Sequence, residues 1–178
     1  MSTSSNCSIT IGNYIIPSAH RKTINKLISL PNNRFASCSS DRTITIWNDT
    51  FPIKTLIGHS DQVLSIIYIK EKELLISCSS DRTLRIWDMR IFQRKTAFKN
   101  VNCCHSSGLC QIDRDRVIVG KQSGFYIVNV KKCEIEKEVH DQMGYVYCFL
   151  PLWENMVVMG NGKGGFAFMM LTIINFLY

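Results

Sequence analysis

No run of this sequence is apolar for long enough to cross a bilayer as a helix. Its most apolar stretch, FAFMMLTIINFLY at 166–178, is thirteen residues long, against the roughly twenty that a spanning helix needs. It is expected to form one or two buried strands, or a chain end that would normally continue. The N-terminal MSTSSNCSIT has no basic leader ahead of an apolar core, so no export signal and no membrane partner are expected, and the cytoplasm or nucleus is the expected location. Cys-x-x-Cys is absent. The chain has eight cysteines, and CCHSSGLC (Cys103, Cys104, His105, Cys110) offers ligand types without the paired spacing of a zinc site. Free thiols in a reducing compartment are the simpler reading, and no metal is expected. GNGKGG at 160–165 lacks the Gly-Lys-Ser/Thr ending of a phosphate-cradling loop and reads as a hairpin turn. Nor is there a block of basic residues. The 21 Lys and Arg outnumber 14 Asp and Glu, but HRK and RK are their densest groupings, so nucleic acid is not the expected partner. With no paired acids in a framing motif either, no cofactor and no enzymatic activity are expected.

What is present is a repetition. SCSSDRTITIW at 37–47 returns as SCSSDRTLRIW at 77–87, with nine of eleven letters identical. Around each copy lie three short runs rich in Ile, Val, Leu and Phe, separated by turn signals such as PNN and SSDR. TITIW and TLRIW alternate with the period of two that marks a strand. A fourth run follows each tryptophan: PIKTLI, then QRKTAF. Each unit is therefore expected to be four antiparallel strands in about forty residues. GLCQIDRDRVIVGKQSGFYIVNVKKCEIEKEV keeps this rhythm without the tryptophan, and HDQMGYVYCFLPLWENMVVMGNGKGGFAFMM keeps a histidine at its start. SITIGNYII, ahead of the first unit, reads as one further strand.

A forty-residue period of four short strands suits a propeller blade. With AH or GH near the start, SD in the middle and W or WD at the end, the first two units resemble the WD-repeat family of β-propellers, which includes the G-protein β subunit. The resemblance is strong over 18–99 and faint over 100–170. It implies an all-β fragment of about four four-stranded antiparallel blades in an incomplete ring. The expected divisions are a leading strand at 1–17, blades at 18–58 and 59–100, and degenerate blades at 101–139 and 140–178. In the family the leading strand completes the last blade, and a ring usually has seven. Three outcomes follow: a truncated or degenerate product, a ring completed by self-association or by another chain, or a closed ring of four.

An antiparallel order a-b-c-d puts the d–a loop and the b–c turn of each unit on one face. His59 and Asp81 can then meet, with Ser77 and Trp87 side by side beneath them. A relay follows in which Asp81 accepts from the imidazole, the imidazole from the Ser77 hydroxyl, and that oxygen from the indole. His20, Asp41, Ser37 and Trp47 take the same roles in the first unit. A serine in mid-strand under a tryptophan, and duplicated, suits a scaffold rather than a catalytic triad. The b–c turn reads Asp-Arg (Arg42, Arg82) where the family commonly has Asp-Gly, so either the turn type differs or the arginine serves a contact.

The resemblance implies a non-catalytic scaffold for protein–protein interaction. Its partner surface would be the face of these loops and turns, with Arg21, Lys22, Arg42, Asp61, Gln62 and Arg82 as contact candidates for an acidic or phosphorylated partner. Trp87-Asp88-Met89-Arg90 is similar to the Trp-Asp-x-Arg box of cullin-type ubiquitin-ligase substrate receptors, which would make Asp88 and Arg90 adaptor contacts on the opposite face. A place in an RNA-processing assembly is the third reading, prompted by the net charge of +7 alone.

Overall fold

The computed structural model describes residues 7–103, 108–121, 124–140, 146–152 and 156–170. Strands account for nearly all of its regular structure, in five antiparallel sheets. A hairpin pairs β1 (Cys7–Ile11) with β2 (Tyr14–His20). The first four-stranded sheet holds β3 (Ile24–Leu30), β4 (Arg34–Ser39), β5 (Thr43–Asn48) and β6 (Phe51–Ile57). The second holds β7 (Val63–Ile69), β8 (Leu74–Ser79), β9 (Thr83–Asp88) and β10 (Gln93–Lys99). The third holds β11 (Leu109–Gln111), β12 (Arg116–Lys121), β13 (Gly124–Asn129) and β14 (Glu134–His140). The last holds β15 (Val146–Pro151), β16 (Met156–Asn161) and β17 (Phe166–Met170). One turn of 3-10 helix, Lys70–Lys72, links β7 to β8.

Each sheet is a plain meander, as short turns between alternating strands dictate. The sheets stand in a row with β3, β7, β11 and β15 side by side on the inner edge. The core lies between sheets. Ala36, Cys38, Ile44, Ile46 and Leu56 of the first face Val63, Ile66, Leu75, Trp87 and Met89 of the second. Ile76, Cys78, Leu84 and Ile86 then meet Val117, Val119, Tyr126 and Val128, and Ile118, Phe125 and Ile127 meet Val146, Val157 and Met159. Both faces of the middle sheets are therefore buried, which explains strands such as LLISCS that have no exposed face.

One expectation needs correcting. SITIGNYII is not one strand but two, reversing at Gly12-Asn13, where Ile11 pairs with Tyr14. Gly12 takes φ +55, a value that costs glycine almost nothing, and so the alternation breaks there. The second of these strands runs to His20. The fourth unit shows three strands among the described residues, with the rest of the uncharged tail outside them. GNGKGG does form the β16–β17 turn, with Asn161 Oδ1 accepting from the amides of Lys163 and Gly165 at 3.0 and 2.9 Å.

The far face of this last sheet is apolar. Leu150, Val158 and Phe168 lie in register across it, and Leu150, Phe166 and Phe168 are 58, 69 and 61% exposed.

Candidate functional site

The duplicated heptapeptide SCSSDRT is explained letter by letter. Ser77, in the middle of β8, is fully enclosed. Its hydroxyl lies 2.8 Å from His59 Nε2, and its oxygen accepts from Trp87 Nε1–H at 2.9 Å. The other imidazole nitrogen donates to Asp81 Oδ2 at 2.9 Å. In the first unit, Trp47 donates to Ser37 at 2.8 Å, Ser37 lies 2.6 Å from His20 Nε2, and His20 Nδ1 is 2.9 Å from Asp41. The eight residues thus come together as two sets of four.

Cys38 and Cys78 point the other way, into the next sheet, with no exposure. Ser79 Oγ donates to Asp61 O at 3.1 Å and accepts from Asp81 N at 3.1 Å, clasping the turn to the loop. Ser39 does the same with Lys22 O and Asp41 N, both at 3.0 Å. The next serine reaches sideways: Ser40 Oγ donates to Gln62 Oε1 at 2.9 Å, across to the second sheet.

The threonines belong to the network as well. Thr83 gives its amide and hydroxyl to Asp81 Oδ1 at 2.9 and 2.6 Å, and Thr43 does so for Asp41 at 3.0 and 2.6 Å. The relay expected from sequence left them out, although the repeated Asp-Arg-Thr carried the signal.

Asp81 is a hub. Burial opposes its ionisation, but hydrogen bonds from the Thr83 hydroxyl, the Ser60 amide and His59 outweigh this and hold the carboxyl at about 2. Burial pushes the His59 imidazole below its ordinary value, against the pull of Asp81. A neutral ring with its proton on Nδ1 suits the hydrogen-bond pattern. Ser77 has no exposed surface and its oxygen already receives the indole N–H, so the Ser-His-Asp set has no room for a substrate carbonyl.

At the corner of each b–c turn stands an arginine in the left-handed region. Arg42 has φ 77 and Arg82 φ 59, and each amide donates at 3.2 Å to the carbonyl three residues back, Ser39 or Ser79. A side chain costs about 1–2 kcal/mol here. Both arginines are exposed.

The sequence pattern of the WD domain, G-beta repeat, matches residues 13–48 and 50–88. These two segments are WD repeats. Among curated proteins, none matches the sequence. The fold is similar to the crystal structure of the WD40 β-propeller domain of Doa1, with a TM-score of 0.73 and 18% identity over 87% of this chain and 53% of that one. The chain thus spans about half the length of that domain. It is also similar to the computationally designed Ika4 protein, with a TM-score of 0.71 and 17% identity over 85% of this chain and 93% of that one. The sheets form part of a β-propeller whose described ends do not meet.

The partner candidates of the two WD repeats divide. Arg21, Lys22, Arg42 and Arg82 are exposed on the loop face. Asp61 and Gln62 are exposed there too; Asp61 Oδ1 accepts from Gln62 N at 2.7 Å, and Gln62, which receives Ser40, also holds the joint between repeats. At the far end of the second repeat, Arg90 folds onto its neighbour. Its Nε and Nη2 donate to the Asp88 carboxylate at 3.0 and 2.5 Å.

The third blade keeps the architecture without the polar lock. By register, Val119 stands where Ser77 does and Val128 where Trp87 does, both with no exposure. Near its loop-face end Lys121, almost fully buried, pairs with Glu138 and lies 5.0 Å from the centre of the Tyr126 ring.

Proposed function

We propose that the chain is a non-catalytic scaffold that holds a partner protein on the loop face of its WD repeats, through an acidic or phosphorylated segment of that partner. Propellers of this family generally mediate protein–protein interaction. One observation carries the finer reading. Both repeats keep an exposed arginine at a left-handed corner where glycine would be cheaper. With Arg21 and Lys22 nearby on the same face, the corners offer fork-shaped donors suited to carboxylate or phosphate.

The test is the double variant Arg42→Gly/Arg82→Gly on arrays of acidic and phosphorylated peptides. The expected result is loss of peptide binding in a protein that melts no lower than the parent. Undiminished binding would remove the reading.

A second reading concerns Asp88 and Arg90, where the largely covered Asp88 carboxylate holds the exposed Arg90 guanidinium through two hydrogen bonds. As a ligase-adaptor contact it would leave the loop face free for substrate. Capture of the adaptor by the parent chain, lost in a folded Arg90→Ala variant, would support it. Equal capture would dismiss it.

A further inference from the structure

The two copies of the eleven-residue repeat differ at just two places, Ile44 against Leu84 and Thr45 against Arg85. The second difference puts a cation inside the molecule. Arg85 is only 9% exposed. The same register position holds Thr45 in the first sheet and Tyr126 in the third, so the fold itself does not require a charge there.

Its neighbours make room for it. Gly58 stands where the first repeat has Ala19, and a Cβ at position 58 would overlap Arg85 Nη1 and meet the Trp87 ring at 3.4 Å. The charge is poorly balanced. Nε donates to Thr83 Oγ1 at 3.3 Å, and the nearest Asp81 oxygen is 3.9 Å from Nη2, beyond hydrogen-bond reach. That carboxylate is already held by His59, Ser60 and Thr83. Burial first, with the like charge of Arg94, holds the guanidinium below its ordinary range against the pull of Asp81.

Arg85 lines an open groove of about 600 Å³ between β6 of the first sheet and β9–β10 of the second. Lys54 and Arg94 line it too, with Leu56, Trp87 and Phe92 as an apolar wall, and no carboxylate faces it. Three cations, one of them buried, surround a space large enough for a side chain and its neighbours. A buried charge without a full partner is costly, and a doubly charged anion supplies what is missing.

We propose that this groove between the two WD repeats binds a phosphorylated serine or threonine of a partner protein. The phosphate sits against Arg85, Lys54 and Arg94, and an adjoining apolar residue rests on Leu56 and Phe92. The site is separate from the arginines of the loop face and does not depend on their role.

The experiment titrates the 15N-labelled chain with a phosphothreonine heptapeptide carrying leucine beside the phosphate, with its unphosphorylated counterpart, and with a short single-stranded RNA. The expected result is shifts of the Gly58, Arg85 and Arg94 amides with the phosphopeptide alone. Arg85→Thr, the residue of the first repeat, should weaken this binding about tenfold or more and leave Arg42 and Arg82 unaffected. If Arg85→Thr does not fold, Lys54→Ala/Arg94→Ala, at two exposed positions, should weaken it likewise. Equal affinity in a folded variant, equal shifts with the unphosphorylated peptide, shifts confined to the loop face, or tighter binding of RNA would each overturn the proposal.

Discussion

Ser77→Ala removes one oxygen and strands two groups. The Trp87 indole N–H, 2.9 Å away, and His59 Nε2, 2.8 Å away, both lose their partner in a site without solvent. At about 1–3 kcal/mol for each buried group left unsatisfied, the loss for the two should total about 2–6 kcal/mol. That is a large share of the 5–15 kcal/mol typical of a domain. Urea unfolding followed by circular dichroism should show the midpoint falling by about 1–3 M. Trp87→Phe keeps an aromatic ring and deletes the donor, so the double variant strands fewer groups than the two single changes imply. The two costs should fall short of additive by about 1–2 kcal/mol. Lys99→Ala, an exposed residue of β10, serves as the control. If Ser77→Ala costs no more than that control, or if the two changes simply add, the relay is not the lock described above.

Replacing Arg42 or Arg82 by glycine should raise stability by up to about 1 kcal/mol each, read as a higher urea midpoint; a drop would mean that the side chain is needed for the turn. Acid should weaken the fold in two steps. His59 and Asp81 both ionise lower in the folded chain than their ordinary values of 6.5 and 3.8, with Asp81 at about 2. Their stabilisation is thus complete above pH 6.5, begins to fall as unfolded histidine takes up protons, and falls again between about 4 and 2. A stability flat from pH 7 to 3 would contradict this. Burial drives the Cys38 thiol up to about 12 and the Cys110 thiol to about 11, whereas Cys148 is exposed. Iodoacetamide at pH 8 should therefore mark Cys148 in the native chain and spare Cys38 and Cys110, as mass spectrometry would read.

The relay was legible because its chemistry is written twice. Serine, aspartate, histidine and tryptophan recur at one spacing, and antiparallel pairing leaves them a single place to meet. Thr43 and Thr83 were just as visible, but a threonine that opens a strand reads as β-propensity rather than as an aspartate's partner. The β1–β2 reversal was missed because Gly12-Asn13 lies within apolar residues on both sides, although two residues of that type are a hairpin signal. Arg85 was illegible for a deeper reason. Alternation puts Arg85 on the face of Thr83 and Trp87, but an arginine there reads as standing at that face's wet margin. Only β6 of the neighbouring sheet, laid alongside it, makes that face dry, and nothing in a local pattern records what the next sheet covers.

The valines at 119 and 128 show what the lock costs to abandon. A blade can hold together by oil alone at these two positions, or by serine, histidine and indole, but the mixtures are worse than either. Removing the serine by itself orphans the ring nitrogens, and removing the tryptophan by itself opens a hole above a hydroxyl. Any repeat that trades one arrangement for the other must cross this valley, with several substitutions arriving nearly together.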